Sequence, residues 1–329
     1  MNVNQAGTGL RCWVVSDGTP GMENQALGIA QALGLAPEIK RIAPRFPWRF
    51  LPPPLWLWPL RATTGDALEP PWPDILIATG RPTIAPALAI KARNAGRTFA
   101  IQIQNPGLLR PRFDVVVAPL HDRIAGDNVI ATRGSLHGIT PERLAEAARR
   151  FAPRLAHLKR PIVAVLVGGD NKVYRLTPDL TRRLCGELRM LAEKFGAGLA
   201  VTPSRRTGAA NEAILREMLK PLGAEVWDGT GENPYLGYLA LADAVVVTGD
   251  SVNMVSEACA TGQPVYVFDL AGGSAKFRRF HALLRASGLT RPFEGTLASW
   301  RSEPPDDTRR AAEAIKARYA NFRAQRNIS

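Results

Sequence analysis

The sequence predicts a two-domain α/β protein built from two doubly wound parallel sheets. Short runs of Val, Ile, Leu and Ala recur at 11–16 (RCWVVS), 74–79 (DILIAT), 98–103 (TFAIQI), 113–118 (FDVVVA), 161–167 (PIVAVLV), 197–202, 224–228, 243–248 (ADAVVVT) and 264–268 (PVYVF). Segments with helical apolar spacing separate them, at 22–33, 82–94, 178–195, 208–220, 251–261 and 274–286. Runs that are apolar throughout, instead of alternating, mark strands covered on both faces, as parallel sheets are. At 329 residues the chain holds two domains of ordinary size, ~100–200 residues each.

The alternation of strand and helix restarts after residue 156. A helix rich in Ala and Arg (141–151) runs into APRLAHLKRP, and a new strand follows. The expected division is an N-terminal domain over 1–156 and a C-terminal domain over 157–305. After SEPPDD, a last helix within 306–329 has no strand behind it and is expected to return to the first domain. Doubly wound sheets bind ligands beyond the carboxyl ends of their strands, so the two domains are expected to face a cleft with those ends.

Composition excludes several classes. With 46% hydrophobic and 22% charged residues the chain has a real core and is not disordered. Cys12, Cys185 and Cys259 are too far apart for a C-x-x-C site, which fits a reducing compartment. The start, MNVNQAGTGLRCWVVSDG, reads as free of a signal peptide, and no apolar run approaches the ~20 residues of a membrane span. A cytoplasmic protein is expected. The net charge of +13 is shared by both halves. Such a surplus suits a nucleic acid, an anionic membrane or a phosphorylated substrate. No zinc-finger spacing or RNA-binding aromatic motif supports the first.

Four strand–loop–helix junctions carry the chemistry, because a helix N-terminus offers free N–H groups to phosphate. In SDGTPGMENQALG, Gly18 and Gly21 allow a tight turn, and Asn24 and Gln25 face the cleft; an ordinary βα turn would look the same. Neither G-x-G-x-x-G nor G-x-x-x-x-G-K-[ST] occurs, which sets aside dinucleotides and a P-loop. In VLVGGDNKVYR, Gly168 and Gly169 leave the backbone bare for a phosphate or sugar, with Asp170 and Asn171 beside them. In VTPSRRTG, Thr202, Ser204, Arg205 and Arg206 precede a helix capped near Thr207. Paired arginines suit a diphosphate, or are simply solvated. In TGDSVNMVSEACATGQP, Thr248 and Gly249 make a turn, Asp250 or Ser251 caps a helix, and Glu257 lies one turn beyond Asn253 on the same face. A carboxylate there can accept both ribose hydroxyls while the helix start holds the phosphates.

The stretch TGDSVNMVSEACATGQPVYVF resembles the nucleotide-sugar motif of GT-B glycosyltransferases and the related nucleotide-sugar 2-epimerases. The resemblance implies two Rossmann-like domains and a nucleotide-diphosphate sugar as donor, with no other cofactor and no metal. Glu257 would bind the ribose, and Asp250, Ser251 and Asn253, with Met254 and Ser256, would line the diphosphate or sugar. Asn233, Pro234 and Tyr235 of GENPYLGYLALAD would border the base, uridine being preferred. Taken together, VSDGTPGMENQALGIAQALG, ATGRPTIAPALAI, GGDNKVYRLTPD, TPSRRTG, NPYLGYLALADAVVVTGDSVNMVSEA and KFRRFH resemble bacterial members of the elongated-mitochondria (mitochondrial fission) family over about residues 12–281.

Function is expected to be glycosyl transfer from a nucleotide sugar. The alternatives are a nucleotide-sugar 2-epimerase and a non-catalytic module that recruits a membrane or division partner. The first loop lacks the Gly-Gly-x-Gly-Gly-His of the related peptidoglycan enzyme, so no histidine base comes with the resemblance. Asp17 and Glu23 are the carboxylates nearest for acceptor activation; Arg205, Arg206 and Lys276 would steady the leaving diphosphate. His281 in AKFRRFHALL is either a surface helical residue or a cleft-facing catalytic one. Residues 39–62, IKRIAPRFPWRFLPPPLWLWPLRA, mix aromatics with basic side chains. They read as a loop for an anionic inner-membrane surface carrying a lipid-linked acceptor, or as an excursion buried on the first sheet.

Overall fold

The structure, a computed structural model, describes residues 9–327; the first eight residues, part of the stretch read as free of a signal peptide, lie outside the described residues. The chain divides into two compact units, Met1–Gly138 with Asp306–Ser329, and Ile139–Pro305.

The first unit runs β1 (Cys12–Ser16), α1 (Pro20–Ala32), β2 (Glu38–Pro44), β3 (Thr63–Gly65), β4 (Ile75–Thr79), α2 (Ile84–Arg93), β5 (Phe99–Ile103), β6 (Val115–Pro119) and β7 (Val129–Thr132). Its sheet has the order β3-β2-β1-β4-β5-β6-β7, and the order reverses between β1 and β4. All five residues of β1, β4 and β5 are buried, as the continuous apolar runs require. Three strands here escaped the pattern reading. β2 buries only Ile42, β3 is short and antiparallel to it, and β7 is half exposed, so none shows an apolar run.

The second unit runs α3 (Pro141–Leu155), β8 (Ile162–Val167), β9 (Tyr174–Arg175), α4 (Pro178–Phe195), β10 (Gly198–Pro203), α5 (Ala209–Leu219), β11 (Glu225–Val226), α6 (Tyr235–Leu241), β12 (Ala244–Thr248), α7 (Val252–Cys259), β13 (Val265–Phe268), β14 (Ala271–Gly272), α8 (Ala275–Ala286) and β15 (Thr290–Pro292). The main sheet, β11-β10-β8-β12-β13-β15, is parallel throughout and reverses between β8 and β12. β9 and β14 form a separate small ribbon. Local chemistry sets the helix ends. For α4, the Thr177 hydroxyl accepts the Leu180 N–H at 3.2 Å, Pro178 opens the first turn, and Gly196 closes the helix at φ 66°.

The boundary is earlier than residue 156. α3 belongs to the second unit, where Phe151 and Leu155 are buried and a Cβ on Gly237 of α6 would lie 2.4 Å from the Phe151 ring. Glycine at 237 is what lets α6 seat on α3. Charge pattern alone could not assign α3 to either sheet.

The last helix, α9 (Asp307–Asn327), joins the first unit as expected. The buried Asp307 carboxylate accepts the Arg133 and Gly134 N–H groups at 2.8 and 3.2 Å, and Thr308 Oγ1 accepts the His137 N–H at 3.1 Å. Ala311 and Ile315 sit in the core under β5 and β6, with Tyr319 and Phe322 edge-on to Phe99. The three cysteines are buried. Ile315→Ala should lower the unfolding free energy by ~2–4 kcal/mol, read as an earlier urea midpoint in tryptophan fluorescence; an unmoved midpoint would mean that α9 adds nothing to the core.

Candidate functional site

At the carboxyl end of the second sheet, one carboxylate organises three loops. Asp250 has a fully buried side chain. Its Oδ1 accepts the Thr248 hydroxyl at 2.6 Å, and its Oδ2 accepts the Gly169 N–H at 3.0 Å and lies 2.8 Å from Arg206 Nη1. The Thr248 hydroxyl oxygen accepts the Gly168 N–H at 2.7 Å. Asn171 donates to the Asp250 carbonyl at 3.0 Å and accepts the Val173 and Tyr174 N–H groups, both at 2.9 Å. Asp170 accepts the Leu176 N–H at 2.8 Å.

This network corrects several expectations. Asp250 does not cap α7; its oxygens are engaged by protein partners. Gly168 and Gly169 are glycines for an internal reason: a Cβ on Gly168 would sit 2.2 Å from Asp250 Oδ2, and one on Gly169 would sit 1.9 Å from the Arg206 carbonyl. Arg206 is committed to Asp250, and Asn171 holds its own turn. Thr207 does not cap α5; Gly208 stands at the N-cap with no side-chain bond, while the Thr207 hydroxyl donates to the Gly168 carbonyl at 2.6 Å. Ser204 donates to the same carbonyl at 3.1 Å, and Thr202 is buried.

His281 is not a surface residue. Its ring is buried, and Nε2–H donates to the Gly249 carbonyl at 2.8 Å, tying α8 to the turn before α7. Burial holds its pKa below the usual histidine value. The sequence hid this because the KFRRFH stretch reads as a basic surface helix, and only the fold brings it under Gly249.

Other predicted residues do converge. Ser251 caps α7, its hydroxyl accepting the Met254 N–H at 3.3 Å. Asn253 and Met254 are part-exposed on the first turn, while Ser256 is buried. The Tyr235 hydroxyl donates to Glu257 Oε2 at 2.5 Å, and the Tyr235 N–H donates to Asn233 Oδ1 at 2.9 Å. The Asn233-Pro234-Tyr235 turn therefore stands against the Glu257 carboxylate. Desolvation pushes the Glu257 pKa up to about 7, against the pull of the Tyr235 hydrogen bond and the Arg143 charge. Arg143, on α3, was missed because α3 was assigned to the other domain. It also lines a groove of about 300 Å³ with Arg150, Glu232 and Asn233. Arg205 and Lys276 are exposed near the starts of α5 and α8.

In the first unit, the β1–α1 turn is engaged differently from expectation. Glu23 accepts the Ser16 hydroxyl at 2.8 Å and a forked pair of Arg41 N–H bonds at 2.9 and 2.8 Å. The Arg41 hydrogen bonds, helped by Ser16 and opposed by burial, hold its carboxyl below the usual range, which makes it a poor proton acceptor. Gln25, expected to face the cleft, is buried in α1, whereas Asn24 is exposed. Gly18 takes φ 75° in the turn, and Gly21 is part-buried in the first turn of α1. Asp17 is exposed, with Oδ1 accepting the Thr19 N–H at 3.0 Å.

Two doubly wound Rossmann-like units, the second carrying a glutamate-bearing helix after its fourth sheet strand, define the GT-B class of fold. The chain belongs to the mitochondrial fission ELM1 family, whose profile matches residues 20–319. It is 34% identical over 275 residues to the mitochondrial fission protein ELM1 of Arabidopsis thaliana, covering 75% of this chain. The chain spans 64% of the length of that plant protein. An uncharacterized protein of Rickettsia prowazekii is 24% identical over 354 residues, covering 93% of this chain and 98% of its own. The crystal structure of UDP-GlcNAc 2-epimerase from Neisseria meningitidis bound to UDP-GlcNAc shares the fold, with a TM-score of 0.50, 13% identity, and 93% and 98% of the two chains covered.

The raised pKa of Glu257 yields a stability test. Its folded value of about 7 lies above the ordinary 4.5, so the folded state holds the proton more tightly. Glu257 therefore stabilises the fold below about pH 4.5 relative to its ionised form, and that contribution is lost as pH rises through about 7. Glu257→Gln should melt above wild type at pH 8, with the gap closing towards pH 5 in a calorimetric series. A pH-independent gap would contradict the desolvated carboxyl.

Proposed function

We propose that the chain is a glycosyltransferase that takes its sugar from a nucleotide-diphosphate donor, with uridine the preferred base. The observation that carries this reading is the Tyr235–Glu257 pair beside the Ser251-capped start of α7. A carboxylate held by a single phenol donor keeps acceptor capacity for two vicinal hydroxyls, which a ribose supplies. The α7 N-terminus, Arg205 and Lys276 then supply positive potential for a diphosphate. Arg206 contributes less, since Asp250 neutralises it. The UDP-GlcNAc named for the Neisseria structure of the same fold supports the choice of donor.

The acceptor in this reading is held by the first domain and is carried on a lipid, with the protein peripheral on the cytoplasmic face of an inner membrane. Asp17 is the carboxylate left to activate it, because Glu23 is bound to Arg41. A 2-epimerase is the second reading, favoured by the identity of that structural neighbour. It needs no acceptor and would exchange the sugar C2 hydrogen with solvent, so NMR of a UDP-sugar in deuterated buffer separates the two.

Thermal shift against nucleotides and nucleotide sugars tests the donor site. Ligand at ~100 times its dissociation constant should add about 2.7 kcal/mol to wild-type stability, and Glu257→Ala should lose that gain. Affinity should also rise with pH towards about 7, because the hydroxyls need the ionised carboxylate. Folded wild-type protein that shifts with none of these ligands leaves the non-catalytic module as the function.

A further inference from the structure

We infer that the excursion between β2 and β3 is a membrane-docking element that inserts aromatic and aliphatic side chains into the interface of a bilayer containing anionic lipid. This deepens the peripheral-membrane part of the proposed function and is independent of the donor site.

The excursion is a folded body, closed at its base and carrying its own small core. Arg45 N–H donates to the Ala62 carbonyl at 2.9 Å, and Arg45 Nε–H donates to the Thr63 carbonyl at 2.9 Å. Trp56 and Ala62 are buried against Ala85 of α2, with Trp48 and Leu51 part-buried around them. The Trp56 indole N–H and the Arg81 guanidinium both donate to the Leu51 carbonyl, at 3.1 and 3.2 Å. Both readings of this segment hold in part: one face is buried on the first unit, and the other is exposed.

The outer face holds Phe46, Phe50, Leu55, Leu57 and Trp58, each between 58% and 75% exposed. They are five of the nine large hydrophobic side chains exposed among the described residues, gathered into thirteen consecutive positions. Singly exposed apolar residues are ordinary, but a contiguous set on a braced loop is a contact surface. Trp58 is held at φ 47°, a left-handed conformation unfavourable for a bulky side chain, which the braced loop sustains.

Charge selects the occupant. From Ile39 to Gly65 there is no carboxylate. Among the described residues Arg45, Arg49 and Arg61 make no ion pair, and Arg49 lies 4.6 Å over the Phe50 ring. At the foot of the excursion a groove of about 620 Å³ is lined by Arg45, Arg61 and Arg93, with Asp66 and Glu69 on the same wall. Aromatics rimmed by unpaired arginines match the apolar–polar boundary of a bilayer and the phosphates of its headgroups.

Co-sedimentation of the full chain with phosphatidylcholine vesicles, with and without phosphatidylglycerol, tests this. Binding is expected to the mixed vesicles only, weakening with salt. Phe50→Ser with Leu57→Ser should lower the partition coefficient at least about 10-fold. Arg45→Gln, Arg49→Gln and Arg61→Gln together should lower it about 100-fold on mixed vesicles. Because all native cysteines are buried, a fluorophore on Leu57→Cys reports insertion by a blue shift. The proposal is overturned if wild-type protein ignores mixed vesicles, if the serine variant binds undiminished, or if the patch instead mediates self-association that the serine variant abolishes. The UDP thermal shift, measured on the same variants, should stay at the wild-type value; its absence from wild type would sink the donor reading and leave the docking result standing.

Discussion

The second unit depends on one desolvated carboxylate. Asp250 is worth its burial only because a hydroxyl, a backbone amide and a guanidinium surround it. A buried charge left without one partner costs ~3–5 kcal/mol, so the three loops that supply those partners are bound into a single geometry. Glycine at 168 and 169, threonine at 248 and arginine at 206 follow from that geometry, as does the histidine that pins Gly249 from α8.

That rigidity frames what lies beside it. Once the β8 and β10 loops are locked to the turn before α7, the start of α7 and the Tyr235–Glu257 pair have a fixed platform. Glu257 is the opposite case from Asp250. It has one phenol donor where Asp250 has three partners, and desolvation raises its pKa to about 7. Two acids seven residues apart on one loop and helix thus differ in kind: Asp250 is satisfied by its protein partners, and Glu257 keeps acceptor capacity beside the start of α7. Functional sites commonly retain such unfavourable groups, at a cost in stability.

The first unit shows the same division in apolar terms. Its core is closed by α9, while the β2–β3 excursion buries Trp56 and leaves Trp58 and Phe50 exposed. A loop with its own small core and an apolar outer face is not a failure of folding. Its outer face is the surface on which the membrane-docking proposal rests.

Much was legible in the sequence because burial on both faces leaves a local mark. The apolar runs at β1, β4, β5, β8 and β12 read correctly, and so did the place of Glu257 one turn beyond Asn253, while the structure chose Ser251 over Asp250 as the cap of α7. β2, β3 and β7 were missed because edge and half-exposed strands lack that run. The side of the boundary to which α3 belongs, the commitment of Glu23 to Arg41, the inward turn of Asp250 and the burial of His281 were decided by the tertiary structure alone. Sequence determines which residues can carry charge, cap a helix or leave room; which of them spend those capacities on one another depends on contacts between segments tens of residues apart, and no local pattern encodes those contacts.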